Sequence, residues 1–491
     1  MNKKAIVIGS GIAGIAASIR LACKGYEVVV LEKNAYPGGK LSEIQLGEYR
    51  FDAGPSLLTM PHLVEELFLL AGKDPKEYFD YHTNSTTCHY FWEDGTFFRG
   101  FANTSMLKKE IENVFKTSPI PFLKKLEKAE KIHNYTSSVF LEQSLHDFKN
   151  FFNVKTLRAL SRSHQMDLQR SLHDANVRDV QHPKLVQLFD RYATYNGSNP
   201  YKTPGIMGVI PHFEWNVGTF FPKKGMVDIT NSLVKMAEEL GIEFHYNTFV
   251  EEIIIQKNQV IGVKIQNGII EASKVVTNMD IYYTYEKLLP LQSKPKRILK
   301  QERSSSALIF YWGIKEKFQN LDLHNIFFSE NYQKEFQEIF QEKTIGDDPT
   351  VYIHISTKLN PEDAPDYGES WFVMVNAPCN IGQDWDHLIA KTREKVLEKL
   401  SRILKRNIES LIEEEDSLDP RSIDFKTASY QGSLYGTSSN NPFAAFLRHP
   451  NFSSKIKGLY FVGGSTHPGG GIPLCLLSAK IATSYVEEVA R

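Results

Sequence analysis

The sequence KKAIVIGSGIAG at residues 3–14, followed by VVVLE at residues 28–32, decides the fold of this chain. It combines an apolar run, a Gly-x-Gly-x-x-Gly turn, a stretch compatible with a helix, and a second apolar run that ends in an acid. This is the pattern of a βαβ dinucleotide-binding unit. An ordinary βα turn with incidental glycines is the alternative, but the strand before the turn and the acid after it favour the dinucleotide-binding unit. These residues are therefore predicted to form a Rossmann-type α/β domain.

The residues of this unit have distinct mechanical roles. Gly9 permits the tight turn, Gly11 lets the backbone approach a pyrophosphate, and Gly14 lets the helix pack closely on the strand. The helix N-terminus offers its free N–H groups to the phosphates. Glu32, about 20 residues beyond the second glycine, is placed to accept hydrogen bonds from a ribose. Ser10, inside the turn, completes the cofactor-binding residues predicted here.

A second glycine-punctuated segment follows directly after the acid. It reads PGGKLS at residues 37–42 and RFDAGPSL at residues 50–57. A glycine doublet lets the backbone approach a bulky ligand without interference from a Cβ atom. The chain here resembles the flavin-containing amine oxidase superfamily, whose members carry a glycine doublet and a basic residue soon after the acid. The resemblance implies cofactor contacts at Lys33, Gly39, Lys40, Gly54, Pro55 and Ser56.

The sequence GLYFVGGSTHPGGGIP at residues 458–473 reads as a buried strand running into a glycine-rich turn, with a closing helix over residues 474–489. It closely resembles the C-terminal flavin motif of the carotenoid desaturases of the bacterial phytoene desaturase type, and the resemblance covers nearly the whole chain. It implies that the cofactor is FAD, with the turn beside the pyrophosphate and ribityl chain. A helix N-terminus beside the isoalloxazine stabilises the anionic reduced flavin. The implied contacts are Asn278, Gly464, Gly471, Ile472, Pro473 and the backbone of Val250, whose side chain reads as strand core.

Composition limits the other classes of function. The chain has 491 residues and a formal net charge of −1, which does not indicate a nucleic-acid partner. Its four cysteines form no C-x-x-C pair, so free thiols are expected, with no disulfide framework and no metal site. The strand at residue 3 predicts that no signal peptide precedes it. No window of about 20 residues is free of charge, so no transmembrane helix is expected.

The pattern along the chain predicts two interleaved domains. A FAD-binding domain of the two-dinucleotide-binding flavoprotein type is assigned to residues 1–80, 205–292 and 426–491. An α+β substrate domain with a helical, membrane-facing region is assigned to residues 81–204 and 293–425. Further expected elements are a hairpin turning at residues 93–96, a strand over 243–250, a β-meander over 252–271 and a helix over 385–404.

The resemblance implies a flavin-dependent dehydrogenation of a polyene. A hydride passes to flavin N5 and a proton leaves the neighbouring carbon, so no covalent nucleophile is needed. His467, beside the flavin turn, is a candidate proton acceptor or hydroxyl ligand, or a brace for the turn. Glu214 is a candidate base or cation stabiliser, or half of a partly solvated salt bridge. His212 and His324 read as structural histidines.

The subtype depends on the sequence GGGIPLC at residues 469–475. Where the phytoene-acting branch has a smaller turn, the bulkier Leu474 favours the branch that dehydrogenates C-3,4 of a 1-hydroxylated carotene end. Phytoene desaturation is the second reading. A flavin amine oxidase and a non-enzymatic lipid-escort protein are the alternatives from other classes. A single glycine fingerprint disfavours NAD, and the electron acceptor is left open between oxygen and a quinone.

A long polyene substrate implies a membrane partner. Each CH₂ group moved out of water contributes about 0.8 kcal/mol, so the substrate stays in lipid unless an apolar tunnel accepts it. We therefore expect a cytoplasmic protein bound peripherally to the inner membrane. The expected contact lies between residues 104 and 165, and a solvated helical face is the alternative. Its predicted members are Lys108, Lys109, Lys124, Lys125 and residues 119–123, with Phe122 and Leu123 in the lipid.

Overall fold

The computed structural model describes residues 3–147, 150, 156, 161–162, 166–441 and 448–489. Its strands, in chain order, are β1 (Lys4–Ile8), β2 (Glu27–Leu31), β3 (Glu43–Leu46), β4 (Tyr49–Asp52), β5 (Tyr81–Thr83), β6 (Thr86–Phe91), β7 (Phe97–Phe101), β8 (Phe220–Pro222), β9 (Glu243–His245), β10 (Val250–Gln256), β11 (Gln259–Ile265), β12 (Gly268–Glu271), β13 (Lys274–Thr277), β14 (Ser306–Ile314), β15 (His324–Phe327), β16 (Val351–Ile355), β17 (Glu369–Ala377), β18 (Ile412–Leu418) and β19 (Leu459–Phe461).

The helices of the described ranges include several that connect or cover these strands. In chain order they are α1 (Ile12–Cys23), α2 (His62–Leu70), α3 (Thr104–Phe115), α4 (Ile120–Phe140), α5 (Leu172–Val180), α6 (Pro183–Asp190), α7 (Ile210–His212), α8 (Asp228–Glu239), α9 (Ile281–Tyr283), α10 (Lys296–Leu299), α11 (Tyr332–Gln337), α12 (Trp385–Leu404), α13 (Pro420–Thr427) and α14 (Ile472–Ser484).

The first large sheet is parallel, with the strand order β19-β13-β1-β2-β9. Strand β1 pairs with β2 on one side and with β13 on the other, and β19 pairs with the far side of β13. The predicted βαβ unit is confirmed as β1, α1 and β2. Parallel neighbours need crossover connections, which is why strands distant in sequence meet in this sheet.

This sheet is buried on both faces. Ala5 and Val7 of β1 pack in the core that contains α1 and α14. Ile6 and Ile8 point the other way and pack in the core formed with β10 and β11. Burial on both faces explains why the strand is an uninterrupted apolar run rather than an alternating one.

The second large sheet has seven strands in the order β18-β14-β17-β16-β15-β6-β7. Its neighbours are antiparallel except β15 and β6, which run parallel. The predicted hairpin is confirmed, because β6 and β7 flank the turn at residues 93–96. In the chain, two strands of this sheet come before β9 and five come after β13. The two large sheets are therefore interleaved in sequence.

The two faces of the seven-stranded sheet have different environments. Leu308, Phe310 and Trp312 of β14 pack in a core with α12. Ile309 and Tyr311 of the same strand face the opposite way and line a cavity. Because successive side chains of a strand alternate between faces, β14 contributes to both the core and the cavity. We call these the core face and the cavity face.

Several other predicted elements are confirmed. The β-meander consists of β10, β11 and β12, which pair in that order as antiparallel neighbours. Helix α12 has the predicted bounds, Trp385–Leu404. All four cysteines are free thiols.

The strand predicted over residues 243–250 is shorter in the structure. Strand β9 ends at His245, and Val250 already belongs to the meander. Asn247 between them has a φ of 53°, a left-handed conformation that no strand continues through. The chain therefore leaves the parallel sheet after His245, and it enters the meander at Val250.

The closing helix also differs from its predicted bounds of 474–489. Helix α14 spans Ile472–Ser484, so it begins before Pro473. Proline is tolerated in the first helical turn because the N–H that it lacks would have no partner inside the helix. The helix therefore begins within the glycine-rich turn rather than after it.

The predicted membrane patch is wrong at two positions. Phe122 of α4 is fully buried, with its ring against those of Phe189 and Trp215. Lys125 is also buried and forms an ion pair with Asp179, with Nζ 3.1 Å from Oδ2. Residues distant in sequence cover this side of α4, which the local apolar run at residues 119–123 does not reveal.

Other parts of the predicted patch stay at the surface. Lys108, Lys109 and Lys124 are exposed. Residues 148–149, 151–155, 157–160 and 163–165, which also fall in the predicted region, lie outside the described residues. Within the ranges that the structure describes, every helix is too short or too polar to span a bilayer.

Candidate functional site

A cavity of about 920 Å³ is lined by both large sheets. This volume lies near the upper end of the range of roughly 300–1,000 Å³ found for small-molecule and cofactor sites. Most of the predicted cofactor residues line it, from separate parts of the chain. They are Gly9, Gly11, Glu32, Lys33, Gly39, Lys40, Gly54, Pro55, Ser56, Val250, Asn278, Gly464, Gly471, Ile472 and Pro473.

The first glycine turn has the geometry that its sequence predicts. Gly9 has a φ of 92°, a conformation that favours glycine. A Cβ atom on Gly14 would stand 2.1 Å from the Gly9 carbonyl oxygen, so Gly14 contributes close packing rather than a cavity wall. A Cβ atom on Gly11 would stand 2.6 Å from Oδ1 of Asn278. The close approach of the Asn278 side chain to this turn therefore leaves no room for a Cβ atom at position 11.

Ser10 does not line the cavity, but it holds a residue that does. Oε2 of Glu32 accepts hydrogen bonds from the Ser10 backbone N–H, at 2.8 Å, and from the Ser10 hydroxyl, at 2.9 Å. The other oxygen, Oε1, accepts from the backbone N–H of Asn34 at 2.9 Å. These bonds fix the orientation of the carboxylate where the ribose is predicted to bind.

The segment after Glu32 is folded back against the cavity by Lys40. Its Nζ donates to the carbonyl oxygens of Leu434, at 2.9 Å, and Ser433, at 3.2 Å. Burial lowers the pKa of Lys40 to about 8. A Cβ atom on Gly54 would stand 2.1 Å from the Lys40 carbonyl oxygen, so this close approach requires glycine at position 54.

The C-terminal turn forms an open cradle at the cavity. Gly471 has a φ of 101°, and a Cβ atom on it would meet no heavy atom within 4 Å. It immediately precedes α14, whose first N–H groups have no partner inside the helix and favour an anion. Asn278 ties this turn to the parallel sheet, since its Nδ2 donates to the Val462 carbonyl oxygen at 3.2 Å.

Val250 lies both at the cavity and in the core of the protein. It is the first residue of β10 and lines the cavity, while its side chain packs in the core under the meander. The neighbouring Thr248 N–H donates to the Glu32 carbonyl oxygen at 2.8 Å. The start of the meander is thereby held beside the predicted ribose site.

His467 lies beside the C-terminal turn but does not line the cavity. Its Nε2 is 2.9 Å from the Gln143 carbonyl oxygen, and its own carbonyl oxygen accepts from Nδ2 of Asn451 at 2.7 Å. The ring is 3% exposed, and burial lowers its pKa to about 4. These contacts match the bracing role that the sequence left open.

Glu214 lines the cavity as part of a buried ion pair, not a partly solvated one. Its Oε1 is 2.5 Å from Nη2 of Arg191, and its Oε2 accepts from the Tyr195 hydroxyl at 2.5 Å. Arg191 is 6% exposed and Glu214 is 2% exposed. Burial lowers the pKa of Arg191, but Glu214 and the surrounding tyrosines outweigh that effect and raise it above its ordinary value. The guanidinium therefore stays charged.

A second polar chain crosses the cavity face of the seven-stranded sheet. The Tyr352 hydroxyl of β16 lies 2.8 Å from the Ser56 hydroxyl and 2.8 Å from Nδ1 of His324. All three residues line the cavity. The sequence predicted a structural role for His324 and did not single out Tyr352, because the strand pairing that joins them is not local.

The lining fits the FAD that the sequence predicts. A fixed carboxylate, glycine turns and residues at the N-termini of α1 and α14 all line this cavity. These groups suit a ribose, a pyrophosphate and an anionic flavin edge. The rest of the wall is largely apolar, as shown by Ile309, Phe372 and Met374 of the cavity face.

The family model described as flavin containing amine oxidoreductase matches residues 12–486. The chain is 50% identical over 484 residues to a protein of Flavobacterium sp. (strain P99-3) named 1-hydroxycarotenoid 3,4-desaturase, with 99% of each chain covered. It is 32% identical over 493 residues to the 4,4'-diapolycopene oxygenase of Methylomonas sp, covering 99% of this chain and 98% of that one.

Solved structures share the fold at low sequence identity. An oxidoreductase from Methanosarcina mazei has a TM-score of 0.63 and 16% identity, covering 98% of this chain and all of that chain. Wild-type putrescine oxidase bound to putrescine also has a TM-score of 0.63, with 13% identity and 98% of each chain covered. These similarities identify the architecture and carry no information on the substrate of this chain.

Proposed function

Because this chain belongs to the flavin containing amine oxidoreductase family, we propose that it is an FAD-dependent carotenoid desaturase that forms the 3,4 double bond at a 1-hydroxylated polyene end. One observation carries the proposal: Glu32, the two glycine turns and the apolar cavity face all line a single cavity. A long apolar substrate can therefore lie against the cofactor without crossing water. The high identity to a 1-hydroxycarotenoid 3,4-desaturase supports the choice of substrate class.

FAD is proposed to lie along Glu32, the first glycine turn and the C-terminal turn. Glu32 binds the ribose, the turn at residues 9–14 binds the pyrophosphate, and residues 464–473 follow the ribityl chain. Lys40 and residues 54–56 lie beside the isoalloxazine, while Lys33, Val250 and Asn278 complete the contacts. Bound FAD supplies the hydride acceptor for the dehydrogenation.

The cavity face positions the polyene and excludes water from it. Ile309, Phe372 and Met374 present apolar surface from three positions of the sheet to the cavity. Removing each CH₂ group of the polyene from water contributes about 0.8 kcal/mol, so this wall favours an extended apolar chain. Excluding water also protects the dehydrogenation from side reactions.

We propose structural roles for the two predicted catalytic residues. His467 braces the flavin turn through the Gln143 carbonyl oxygen. Glu214 neutralises the buried Arg191, and its second oxygen is already bonded to Tyr195. A positive charge beside a polyene is delocalised, so the proton can leave without a dedicated protein base. The protein then contributes chiefly the position of the reacting carbons.

The proposal is tested by reconstituting the purified protein with FAD and mixing it anaerobically with liposomes. The liposomes carry phytoene, lycopene or a 1-hydroxylated carotene, and the flavin and polyene absorbances are recorded together. We expect loss of flavin absorbance and a red-shifted polyene band only with the 1-hydroxylated carotene. The matched control is the same protein without added FAD, which should leave every polyene unchanged.

Other results would replace the proposal with a named alternative. Conversion of phytoene, and not of the hydroxylated carotene, would make the protein a phytoene desaturase. Flavin that is reduced by primary amines and by no polyene would make it an amine oxidase. Failure to retain FAD under any condition would favour the lipid-escort alternative.

We also propose that the substrate enters from a membrane surface. Met106 of α3 and Ile120 of α4 are exposed, at 49% and 56%, and Lys108, Lys109 and Lys124 are exposed nearby in sequence. Apolar side chains with a basic rim suit an interface with anionic lipid. The double variant Met106→Ser, Ile120→Ser should co-sediment less with anionic liposomes, whereas Ile269→Ser, exposed on β12, should not. Unchanged binding of the double variant would exclude this surface.

A further inference from the structure

Arg448 is a buried cation without a carboxylate partner. It is 2% exposed, and its guanidinium group donates to three backbone carbonyl oxygens. Nη1 lies 2.7 Å from the Tyr435 oxygen and 3.0 Å from the Gly464 oxygen, and Nη2 lies 2.7 Å from the Thr437 oxygen. Within the described ranges no ion pair includes Arg448, and the stretches outside them contain no Asp or Glu. Buried charges are normally paired, so the charge of Arg448 calls for an explanation.

Arg448 keeps its charge near pH 7. Burial and the neighbouring Arg303 lower the pKa of Arg448 from 12.5 to about 10, which still leaves the guanidinium protonated. Asp280 forms an ion pair with Arg303, with Oδ1 3.3 Å from Nη2, and makes no such contact with Arg448. Arg448 is therefore a positive charge that the side chains around it do not neutralise.

This charge lies directly behind the cavity wall. Arg448 does not itself line the cavity, but Tyr435 and Gly464, whose carbonyl oxygens it binds, do so, as do the residues that follow them, Gly436 and Ser465. Both peptide bonds are trans, and the C=O and N–H bonds of a trans peptide unit point in opposite directions. Because the two carbonyl oxygens face Arg448, the N–H groups of Gly436 and Ser465 face away from it, toward the cavity.

These two N–H groups are unpaired and lie close together. Neither donates a hydrogen bond within the part of the chain that the structure describes. A Cβ atom on Gly436 would stand 2.7 Å from Cα of Ser465, so the two segments are in contact. Neighbouring backbone N–H groups without partners form a site for a negatively charged group. The positive charge on the carbonyl side of both peptide units strengthens their preference for an anion.

We propose that Arg448 orients these two N–H groups toward the isoalloxazine of FAD, where they stabilise the negative charge of the reduced ring. This inference rests on the proposed function, because it uses the proposed position of FAD. A hydride brings two electrons and one proton to N5, so the neutral oxidised ring gains one negative charge, and the oxidised polyene releases a proton from the neighbouring carbon. Arg448 is a positioning residue, since the N–H groups and not its own side chain contact the ring.

The surrounding groups favour the isoalloxazine over the pyrophosphate. Lys40, which is proposed to lie beside the isoalloxazine, donates to the Leu434 carbonyl oxygen, two residues before Gly436. Cys475, in the first turn of α14, lines the cavity. Burial raises the pKa of the Cys475 thiol to about 11, and the charges of Lys40 and Arg448 oppose that rise. Both cations therefore act on the first turn of α14, whereas the pyrophosphate is proposed to bind at the first glycine turn.

The test measures the flavin itself, with no polyene present. The midpoint potential of bound FAD is measured by stepwise reduction beside a reference dye, and the apoprotein is titrated with oxidised FAD. We expect Arg448→Gln to weaken the binding of reduced FAD about 10- to 100-fold more than that of oxidised FAD. For a two-electron couple, this ratio lowers the midpoint potential by about 30–60 mV. Arg448→Lys, which keeps the charge, should recover most of that decrease.

Sulfite provides a second readout. It adds to N5 of an oxidised isoalloxazine, and the ring of the adduct carries a negative charge as the reduced ring does. The Kd for sulfite should therefore rise about 10- to 100-fold in Arg448→Gln and stay near the wild-type value in Arg448→Lys.

Arg20 of α1 provides a matched control. It is also buried, at 9% exposed, but its Nη2 lies 2.6 Å from Oε1 of Glu66, and it does not line the cavity. Arg20→Gln should leave both the midpoint potential and the Kd for sulfite unchanged. A shift of equal size in Arg20→Gln would show that the effect does not depend on the position of Arg448.

The outcomes distinguish two sites on FAD. Equal losses of affinity for oxidised and reduced FAD in Arg448→Gln, with an unchanged potential, would place the N–H pair at the pyrophosphate and overturn the proposal. If Arg448→Gln does not retain FAD, Arg448→Met, which removes the charge without adding a polar group, replaces it. If that variant also loses FAD, the wild-type protein decides, because a bound potential no higher than that of free FAD would contradict the stabilisation.

These results are independent of polyene oxidation. An unchanged potential in Arg448→Gln would remove the role of Arg448 and leave the proposed desaturation intact. A wild-type protein that binds no FAD would instead overturn the proposed function itself.

Discussion

Gly14 lies so close to Gly9 that a Cβ atom on Gly14 would stand 2.1 Å from the Gly9 carbonyl oxygen. The obstructing atom belongs to the backbone of the turn, so no side chain can move aside. We expect Gly14→Ala to lower the free energy of unfolding by about 1–3 kcal/mol and to reduce FAD retention. Chemical denaturation and the flavin-to-protein absorbance ratio measure these two effects.

Gly208→Ala is the matched control for that substitution. A Cβ atom on Gly208 would have Nζ of Lys125 as its nearest neighbour, at 3.5 Å, which is ordinary van der Waals contact. We expect this variant to keep both stability and flavin. Equal losses at the two positions would show that the close approach of Gly14 is not the cause.

The hydrogen bonds that orient Glu32 should affect cofactor affinity. Ser10→Ala removes the hydroxyl that lies 2.9 Å from the carboxylate but keeps the backbone bond of 2.8 Å. A hydrogen bond to a charged group contributes about 1.5–3 kcal/mol. This energy is the upper limit of the loss in FAD binding, because the bond already forms before FAD binds, and we expect FAD to bind up to about 10-fold more weakly. Titration of the apoprotein with FAD, followed by flavin fluorescence, measures the change. Ser18→Ala, which removes a hydroxyl bonded to the Ile15 carbonyl within α1, should leave the affinity unchanged.

The buried ion pair predicts a large and non-additive effect on stability. Glu214→Gln leaves the Arg191 guanidinium buried without its counter-ion, and we expect a loss of about 3–5 kcal/mol in the free energy of unfolding. Adding Arg191→Met should recover much of that loss, because the uncompensated charge is then removed. Urea denaturation of the two single variants and the double variant completes the cycle.

An exposed pair serves as the reference for this cycle. Nζ of Lys395 lies 2.9 Å from Glu398, whose side chain is 50% exposed. Glu398→Gln should change stability by less than about 1 kcal/mol, because solvent screens such pairs. A comparable loss from both substitutions would mean that Glu214 is not desolvated in solution.

His467 should contribute to acid sensitivity. Burial lowers its pKa from 6.5 to about 4, so the unfolded chain takes up a proton before the folded protein does. The stability from His467 is therefore complete above pH 6.5 and is lost as the pH falls through 4. In His467→Gln, the decline in unfolding free energy over this interval should be smaller by roughly 3 kcal/mol.

Guanidinium denaturation at a series of pH values measures that decline. Glutamine can keep the bond to the Gln143 carbonyl oxygen through its side-chain amide, so FAD retention should persist. His245→Gln alters an exposed histidine of β9 and should follow the wild-type curve. Loss of desaturation in His467→Gln, with the protein folded and flavin bound, would contradict the bracing role and restore the catalytic one.

The sequence predicted those features whose cause is local. The turn from Gly9 to Gly14 follows from glycine conformations and close packing within one unit, and the Glu93–Thr96 hairpin follows from a turn between apolar runs. Phe122 was misplaced because the side of α4 that faces the core depends on Phe189 and Trp215, which are distant in sequence. The link between Ser56, Tyr352 and His324 likewise depends on the tertiary fold, which no local pattern encodes.

The alternation of the seven-stranded sheet has a consequence for how substrate preference can change in evolution. Phe372 and Met374 of β17 point into the cavity, while Trp371, Val373 and Val375 of the same strand support the core. Substitutions at Phe372 and Met374 would change the shape of the cavity wall without loosening the packing on α12. A one-residue slip of a strand would exchange the two sets and abolish both functions. New polyene specificities are therefore accessible by point substitution on alternate positions, whereas insertions or deletions within these strands are not a viable route.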